Sequence, residues 1–288
     1  MAAENRGGPV VAVMDSGVGG LPYLESARAL MPRASFVYLA DREGFPYGSK
    51  TREEVEAIVR DRVDRLVEDF APEVVVIACN TASQAALAAV RADHPGLPVI
   101  GTVPAVKPAA ERTRSGVIGV LATEGTVQDP YLDELEERFA KGRLVVRRAA
   151  QDLVSFVERR LLGAGAEELR EILRPHVAFL VDKGVDEIVL ACTHFLHVAD
   201  EIEGLAAELA AGRGGASPEV VDSREGVARR LRELLDGAGG VDGIERGGDR
   251  MNPDRLFLTG EGPFEAVYED FARRYGLVGP FPLGPIRP

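Results

Sequence analysis

Val74-Val75-Val76-Ile77-Ala78-Cys79-Asn80-Thr81 decides how the fold is read, because its pattern returns later as Ile188-Val189-Leu190-Ala191-Cys192-Thr193-His194. Each stretch is a short apolar run that stops at Ala-Cys and gives way to polar side chains. Such runs read as strands buried on both faces. Cys79 and Cys192 are also the only two cysteines of the chain. A thiol at the mouth of a strand can serve as a base or a nucleophile. Two thiols in matched settings point to a site with two equivalent halves.

On either side of these two runs, strands are expected at Val10–Met14, Ser35–Leu39, Val74–Ala78, Val99–Gly101, Gly116–Leu121, Leu144–Arg147, Glu187–Ala191, Val220–Asp222 and Leu256–Leu258. Helices are expected at Leu21–Met31, Arg52–Asp69, Ser83–Arg91, Tyr131–Phe139, Ala166–Lys183, Glu225–Leu235 and Phe264–Arg274. This alternation predicts an α/β fold with mostly parallel strands. The rhythm runs twice. Val10–Asp15 leads into Ser16-Gly17-Val18-Gly19-Gly20, and Val117–Ala122 leads into Thr123-Glu124-Gly125-Thr126. At similar spacings, Asp15 is matched with Thr123 and Cys79 with Cys192.

The expectation is two similar doubly wound parallel-sheet domains, related by pseudo-twofold symmetry and facing each other across an active-site cleft. Residues 1–102 plus 218–288 would form the first, carrying Asp15 and Cys79. Residues 103–217 would form the second, carrying Cys192 and His194. The elements after the Gly/Ser/Pro stretch Gly212–Pro218 are expected to return to the first sheet. Asp236–Asp254 reads as a solvated loop, and the tail Gly279–Pro288, with its four prolines, as irregular.

The composition narrows the class of function. Thirty-four basic against 46 acidic residues leave a net charge of −12, which argues against a general nucleic-acid binder. The start Met1-Ala2-Ala3-Glu4-Asn5-Arg6 lacks the basic and apolar regions of a signal peptide, and no apolar run reaches membrane-spanning length. A cytoplasmic protein is expected, with both thiols reduced and no Cys79–Cys192 disulfide. Two cysteines and a lone Cys192-x-His194 pair do not make a structural zinc site, so no metal is expected.

In open parallel sheets, ligands bind outside the carboxyl ends of the strands. Asp15, Ser16, Cys79, Asn80, Thr81, Thr123, Thr126, Cys192, Thr193 and His194 all fall at such ends. A lone Cys79 would read as a small buried hydrophobe, but its recurrence at Cys192 with polar followers favours chemistry. The helix after Cys79 can help its thiolate form. His194, two residues past Cys192, would share a face with it in an extended segment. His94 and His176 read as surface or satisfied core residues, whereas His197 is ambiguous. Asp15 closes an apolar run, where an ionised group needs partners or a task. It can also accept backbone N–H bonds in the glycine turn. That turn, Gly17-Val18-Gly19-Gly20, lacks the third glycine of a dinucleotide fingerprint and suits a small anion instead. Tyr47, in the loop Phe45-Pro46-Tyr47-Gly48, could close over a ligand and offer its hydroxyl.

These elements together resemble the cofactor-independent glutamate racemases of the aspartate/glutamate racemase superfamily. The resemblance rests on Asp15-Ser16-Gly17-x-Gly19-Gly20, Phe45-Pro46-Tyr47-Gly48, Ala78-Cys79-Asn80-Thr81-Ala82-Ser83, Val103-Pro104-Ala105-Val106-Lys107, Thr123-x-Gly125-Thr126 and Cys192-Thr193-His194. Thr259-Gly260 followed by Phe264 adds the family's C-terminal end, so nearly the whole chain is covered in order.

The resemblance implies glutamate as the substrate and its mirror image as the product, with no cofactor and no metal. It implies that Cys192 deprotonates L-glutamate with help from His194. Cys79 would deprotonate D-glutamate with help from Asp15. Asp15, Ser16, Tyr47, Gly48, Asn80, Thr81, Thr126, Thr193 and His194 would hold the substrate. Supply of D-glutamate for peptidoglycan is the implied role. Family members often pair as dimers, so a homodimer is among the expected assemblies. Phe195-Leu196 stands where many members carry Tyr-Pro, and Ala40 precedes Asp41 where glycine is common. The rival expectations are an aspartate racemase or another amino-acid racemase of the superfamily, or a non-catalytic binder of acidic amino acids. An aspartate racemase would tend to carry an acid in place of His194.

Overall fold

The protein was analysed as a computed structural model, which describes residues 8–212, 214, 216–237 and 253–283. It divides into two compact units. Met1–Tyr47, Thr51–Thr102 and Arg224–Pro288 make the first; Gly48–Lys50 and Val103–Ser223 make the second.

The first unit opens with β1 (Val10–Asp15), α1 (Leu21–Leu30), β2 (Ser35–Ala40), α2 (Arg52–Phe70), β3 (Val74–Ile77), α3 (Asn80–Asp93) and β4 (Val99–Gly101). The second contains α4 (Val106–Arg112), β5 (Val117–Ala122), α5 (Glu124–Gln128), α6 (Pro130–Phe139), β6 (Leu144–Ala149), α7 (Gln151–Arg159), α8 (Ala166–Asp182), β7 (Glu187–Leu190), α9 (Ala199–Ala211) and β8 (Glu219–Val221). The chain then completes the first unit with α10 (Arg224–Gly237), β9 (Arg255–Leu258), α11 (Ala266–Arg274) and β10 (Val278–Pro282).

Both sheets are parallel among the described residues. Their orders are β10-β9-β2-β1-β3-β4 and β6-β5-β7-β8. The segment β2-β1-β3-β4 and the whole second sheet therefore share one strand order, a repeat of architecture within one chain. Val74–Ile77 and Glu187–Leu190 are buried throughout, as a strand covered on both faces must be.

Strand register corrects the expected equivalence by one residue. Met14 pairs with Ile77, and Leu121 with Leu190. Asp15 therefore corresponds to Ala122, and Ser16 to Thr123. Cys79 and Cys192 remain equivalent, but the second unit has no carboxylate at the position of Asp15.

The first core gathers Met14, Leu39, Val59, Leu66 and Ile77 under α2 and α3. The second gathers Val106, Ile118, Val120, Leu132 and Val189. At about 1.5–3 kcal/mol for each large apolar side chain buried, such clusters set the scale against which every polar group in the core must be justified. Helix α2 begins at a capping box, in which Glu54 N donates to Thr51 Oγ1 and Thr51 N donates to a Glu54 carboxylate oxygen.

Three other expectations change. Glu219–Val221 pairs with β7, so it closes the second sheet rather than returning to the first. The polar chain around Gly212–Pro218 carried no signal for which sheet the next strand would join. Val278–Pro282 is a strand, so the first part of the expected irregular tail is regular, and residues 284–288 lie outside the described residues. The strand lies at the edge of the first sheet beside β9, where prolines cost no ladder hydrogen bond on the open side. Most of the expected loop Asp236–Asp254 falls outside the described residues. Its end does not read as solvated, because Asp254 is buried, paired with Arg28 Nε at 2.8 Å and accepting from Phe36 N at 2.9 Å.

Candidate active site

In the first unit, β3 ends where α3 begins, and Cys79 caps that helix in extended backbone, φ −145° and ψ 122°. The sulfur thus stands at the positive end of a 14-residue helix. Its side chain is buried and lies 4.0 Å from Ser16 Oγ. Ser16 Oγ in turn donates toward Asp15 Oδ1 at 3.5 Å. The serine hydroxyl therefore stands between the thiol and the carboxylate. Asp15 is fully buried at the end of β1, and its Oδ2 accepts from Gly20 N at 2.8 Å, so it also ties down the glycine turn. Asn80 is buried, and its side-chain oxygen has no hydrogen-bond partner. Thr81 lies on the first turn of α3.

In the second unit, Cys192 occupies the same place after β7, with nearly the same backbone, φ −138° and ψ 132°. The next segment is different. Thr193–Val198 is a 3-10 turn, not an extended segment, and α9 begins only at Ala199. The turn nonetheless brings His194 Nδ1 to 4.0 Å from Cys192 Sγ. The other ring nitrogen, Nε2, lies 2.9 Å from Glu158 Oε2, and both side chains are buried. Burial opposes charge on the imidazole, but its bonds to Cys192 and Glu158 outweigh burial and hold His194 well above the usual histidine range. Both ring nitrogens then donate, one toward Cys192 Sγ and one toward Glu158 Oε2. Thr193 is buried beside them. Thr126, also buried, receives the Thr123 hydroxyl at 3.0 Å.

Glu158 was missed by sequence reasoning. A signal existed. In α7, Leu153, Val154, Phe156 and Val157 are buried, and Glu158 falls on the same stripe, four residues after Val154. An acid on a helix's apolar stripe needs a partner. Asp41 and Arg62 were missed as well. Arg62 is fully buried on the stripe Val55, Val59, Val63, Leu66 of α2. Its Nε donates to Asp41 Oδ1 at 3.0 Å, and Nη1 to Asp61 at 2.8 Å.

Asp41 also receives the Thr259 hydroxyl at 2.6 Å and the Tyr47 hydroxyl at 2.6 Å. Tyr47 thus commits its hydroxyl proton to Asp41. Burial first, and then the Asp41 carboxylate, keep that phenol protonated well above its usual range. Gly48 follows Tyr47 in this loop. A Cβ there would stand 2.8 Å from both Thr123 Cβ and Gln151 Oε1, so glycine is required by close approach. His176 is a satisfied core residue, between Arg148 and Asp152, and His94 pairs with Asp64 near the surface. Among the described residues, no cluster of three or more His, Cys, Asp or Glu is placed to hold a metal ion, and no helix is long and apolar enough to cross a membrane.

Residues 23–231 match the sequence profile of the Asp/Glu/Hydantoin racemase family, which sets the class of protein. The glutamate racemase of Sphingopyxis alaskensis is 48% identical over 231 residues, covering 79% of this chain and 82% of the relative. That of Proteus mirabilis is 39% identical over 239 residues, covering 81% and 78%. Among solved structures, Escherichia coli glutamate racemase, in complex with L-glutamate and the activator UDP-MurNAc-ala, aligns with a TM-score of 0.81 at 32% identity. That alignment covers 97% of this chain and 98% of the other. The chain belongs to the Asp/Glu/Hydantoin racemase family, among its glutamate racemases. It is an enzyme, an isomerase acting on amino acids.

Proposed function

We propose that this enzyme interconverts L- and D-glutamate without a cofactor, using Cys79 and Cys192 as its two acid–base groups. The observation that carries the proposal is the pair of side-chain relays, Cys192–His194–Glu158 in one unit and Cys79–Ser16–Asp15 in the other, each at the end of an equivalent strand. Inversion by proton transfer needs a base on one face of the α-carbon and an acid on the other, with roles that exchange by direction. One thiolate takes the α-proton, and the electron pair of the broken C–H bond stays on carbon as the carboxylate draws charge. The other thiol then delivers its proton to the opposite face.

Cys192 acts on L-glutamate with His194 as helper, and Cys79 acts on D-glutamate with Asp15 as helper, acting through Ser16. The α-proton is far less acidic than a thiol, so preorganised donors must stabilise the developing charge. Ser16, Asn80, Thr81, Thr126, Thr193 and the backbone at Gly48 are the groups we assign to the substrate's amine and carboxylates. The unpartnered side-chain oxygen of Asn80 supports this, since a buried acceptor without a donor is rare unless a ligand supplies one. The role we assign is supply of D-glutamate for peptidoglycan in the cytoplasm.

The test is racemisation of L-glutamate and L-aspartate by purified protein, followed by circular dichroism. Glutamate should turn over, and Cys79→Ser or Cys192→Ser should abolish turnover with the fold retained. Turnover of aspartate alone would overturn the substrate, and full activity in either variant would overturn the two-thiol scheme.

A further inference from the structure

Gln151 is the first residue of α7 and lies just past the carboxyl end of β6. It is therefore at the strand-end edge of the second sheet, on the same helix as Glu158. Its Oε1 and Thr123 Cβ flank Gly48 closely enough that each would stand 2.8 Å from a Cβ on that glycine. Thr123 is hydrogen-bonded to Thr126. Gln151 thus sits among the groups assigned to substrate binding in this unit. Both its amide nitrogen and its amide oxygen are shielded from solvent, and neither has a hydrogen-bond partner.

An amide in that state is costly, and an apolar side chain of similar volume would fill the space at less expense. Two orphaned atoms on one side chain, at the edge of the sheet where ligands of such folds bind, call for a ligand that supplies both partners. A primary amide offers two donors and an acceptor. An amino acid offers carboxylate acceptors and an ammonium donor.

We infer that Gln151 is a further substrate-contacting residue, its amide nitrogen donating to a carboxylate of the bound amino acid while its oxygen remains available to the ammonium group. This rests on the racemase reading given above. Because the amide is neutral, it can hold a carboxylate without adding a charge that would compete for Glu158 or His194.

The experiment compares Gln151→Met, Gln151→Asn and Gln151→Glu with the parent protein, measuring kcat and KM for L-glutamate and the melting temperature without ligand. Gln151→Met should raise KM about tenfold, as for one lost hydrogen bond to a charged group, with kcat little changed. The same variant should melt higher than the parent, since the orphaned atoms are gone. Gln151→Glu should raise KM further, by placing like charge against the carboxylate, and Gln151→Asn should fall between parent and Gln151→Met. A KM unchanged in Gln151→Met, in a parent that is itself active, would overturn the contact alone. A melting temperature lowered with KM unchanged would show a structural amide and overturn it equally. A parent that leaves glutamate unaltered would overturn the racemase reading and this inference with it.

Discussion

The imidazole of His194 lies 2.9 Å from the carboxylate of Glu158, with both side chains buried. The carboxylate fixes the ring by one nitrogen and leaves the other to Cys192. The two thiols are equivalent in backbone and strand position, but their helpers are not. Cys79 is approached by a hydroxyl backed by a carboxylate, and Cys192 by an imidazole backed by a carboxylate.

Glu158→Gln keeps the shape and removes the charge that holds His194. We expect kcat for L-glutamate to fall by roughly ten- to a hundredfold, less than the roughly 10²–10⁴-fold a positioned acid–base group contributes directly, with KM little affected. The alkaline limb of the pH–rate profile should move to lower pH, because the imidazolium has lost a stabilising partner. An unmoved profile would show that Glu158 has no part in tuning the ring.

The same pair sets a pH dependence of stability. The folded His194 pKa is raised above its unfolded value. Its contribution is therefore fully present below an unfolded value of about 6.5 and is lost as pH rises through the folded value. The difference in melting temperature between the protein and His194→Gln should be largest on the acid side of neutrality and narrow toward alkaline pH. A gap that widens with pH would contradict this.

Arg62 holds a positive charge in the middle of an apolar stripe and satisfies Asp41 at 3.0 Å. Arg62→Met leaves Asp41 uncompensated, and urea denaturation should report a loss of about 3–5 kcal/mol. A loss under about 1 kcal/mol, the scale of an exposed pair, would show that the pair is not the buried anchor the geometry describes.

Tyr47→Phe removes the hydroxyl that donates to Asp41 at 2.6 Å. Stability should drop by about 1–3 kcal/mol, the cost of a buried acceptor losing its donor, while KM for glutamate stays close to the parent value. Unchanged stability with a large rise in KM would instead mean that the hydroxyl serves the substrate.

Much of this was legible in the chain. Apolar runs such as Val74–Ile77 and Glu187–Leu190 announce buried strands, and the Ala-Cys ending of each locates both thiols. Strand order and register were not legible, because a continuous apolar run fits any neighbour. Only pairing shows that Ser16, not Asp15, corresponds to Thr123. Val278–Pro282 was hidden by its prolines, which a sheet edge tolerates and a centre does not. Glu158, Asp41 and Arg62 were hidden because the pairs Glu158–His194, Arg62–Asp41 and Thr259–Asp41 join residues far apart in sequence, although Glu158 and Arg62 betray themselves by standing on apolar helix faces. The Tyr47–Asp41 bond was not legible either, since Asp41 lies on a neighbouring turn that composition does not resolve.

The most direct test of two-thiol, cofactor-independent racemisation is solvent deuterium incorporation at the α-carbon of L-glutamate, with nothing added but the protein. At early times in D2O, the account predicts D-glutamate carrying one α-deuterium, while the remaining L-glutamate keeps its protium. Deuterium appearing equally early in the recovered L-glutamate would indicate a single base serving both faces. D-glutamate formed with its original α-proton, or no turnover without an added cofactor, would contradict the account outright.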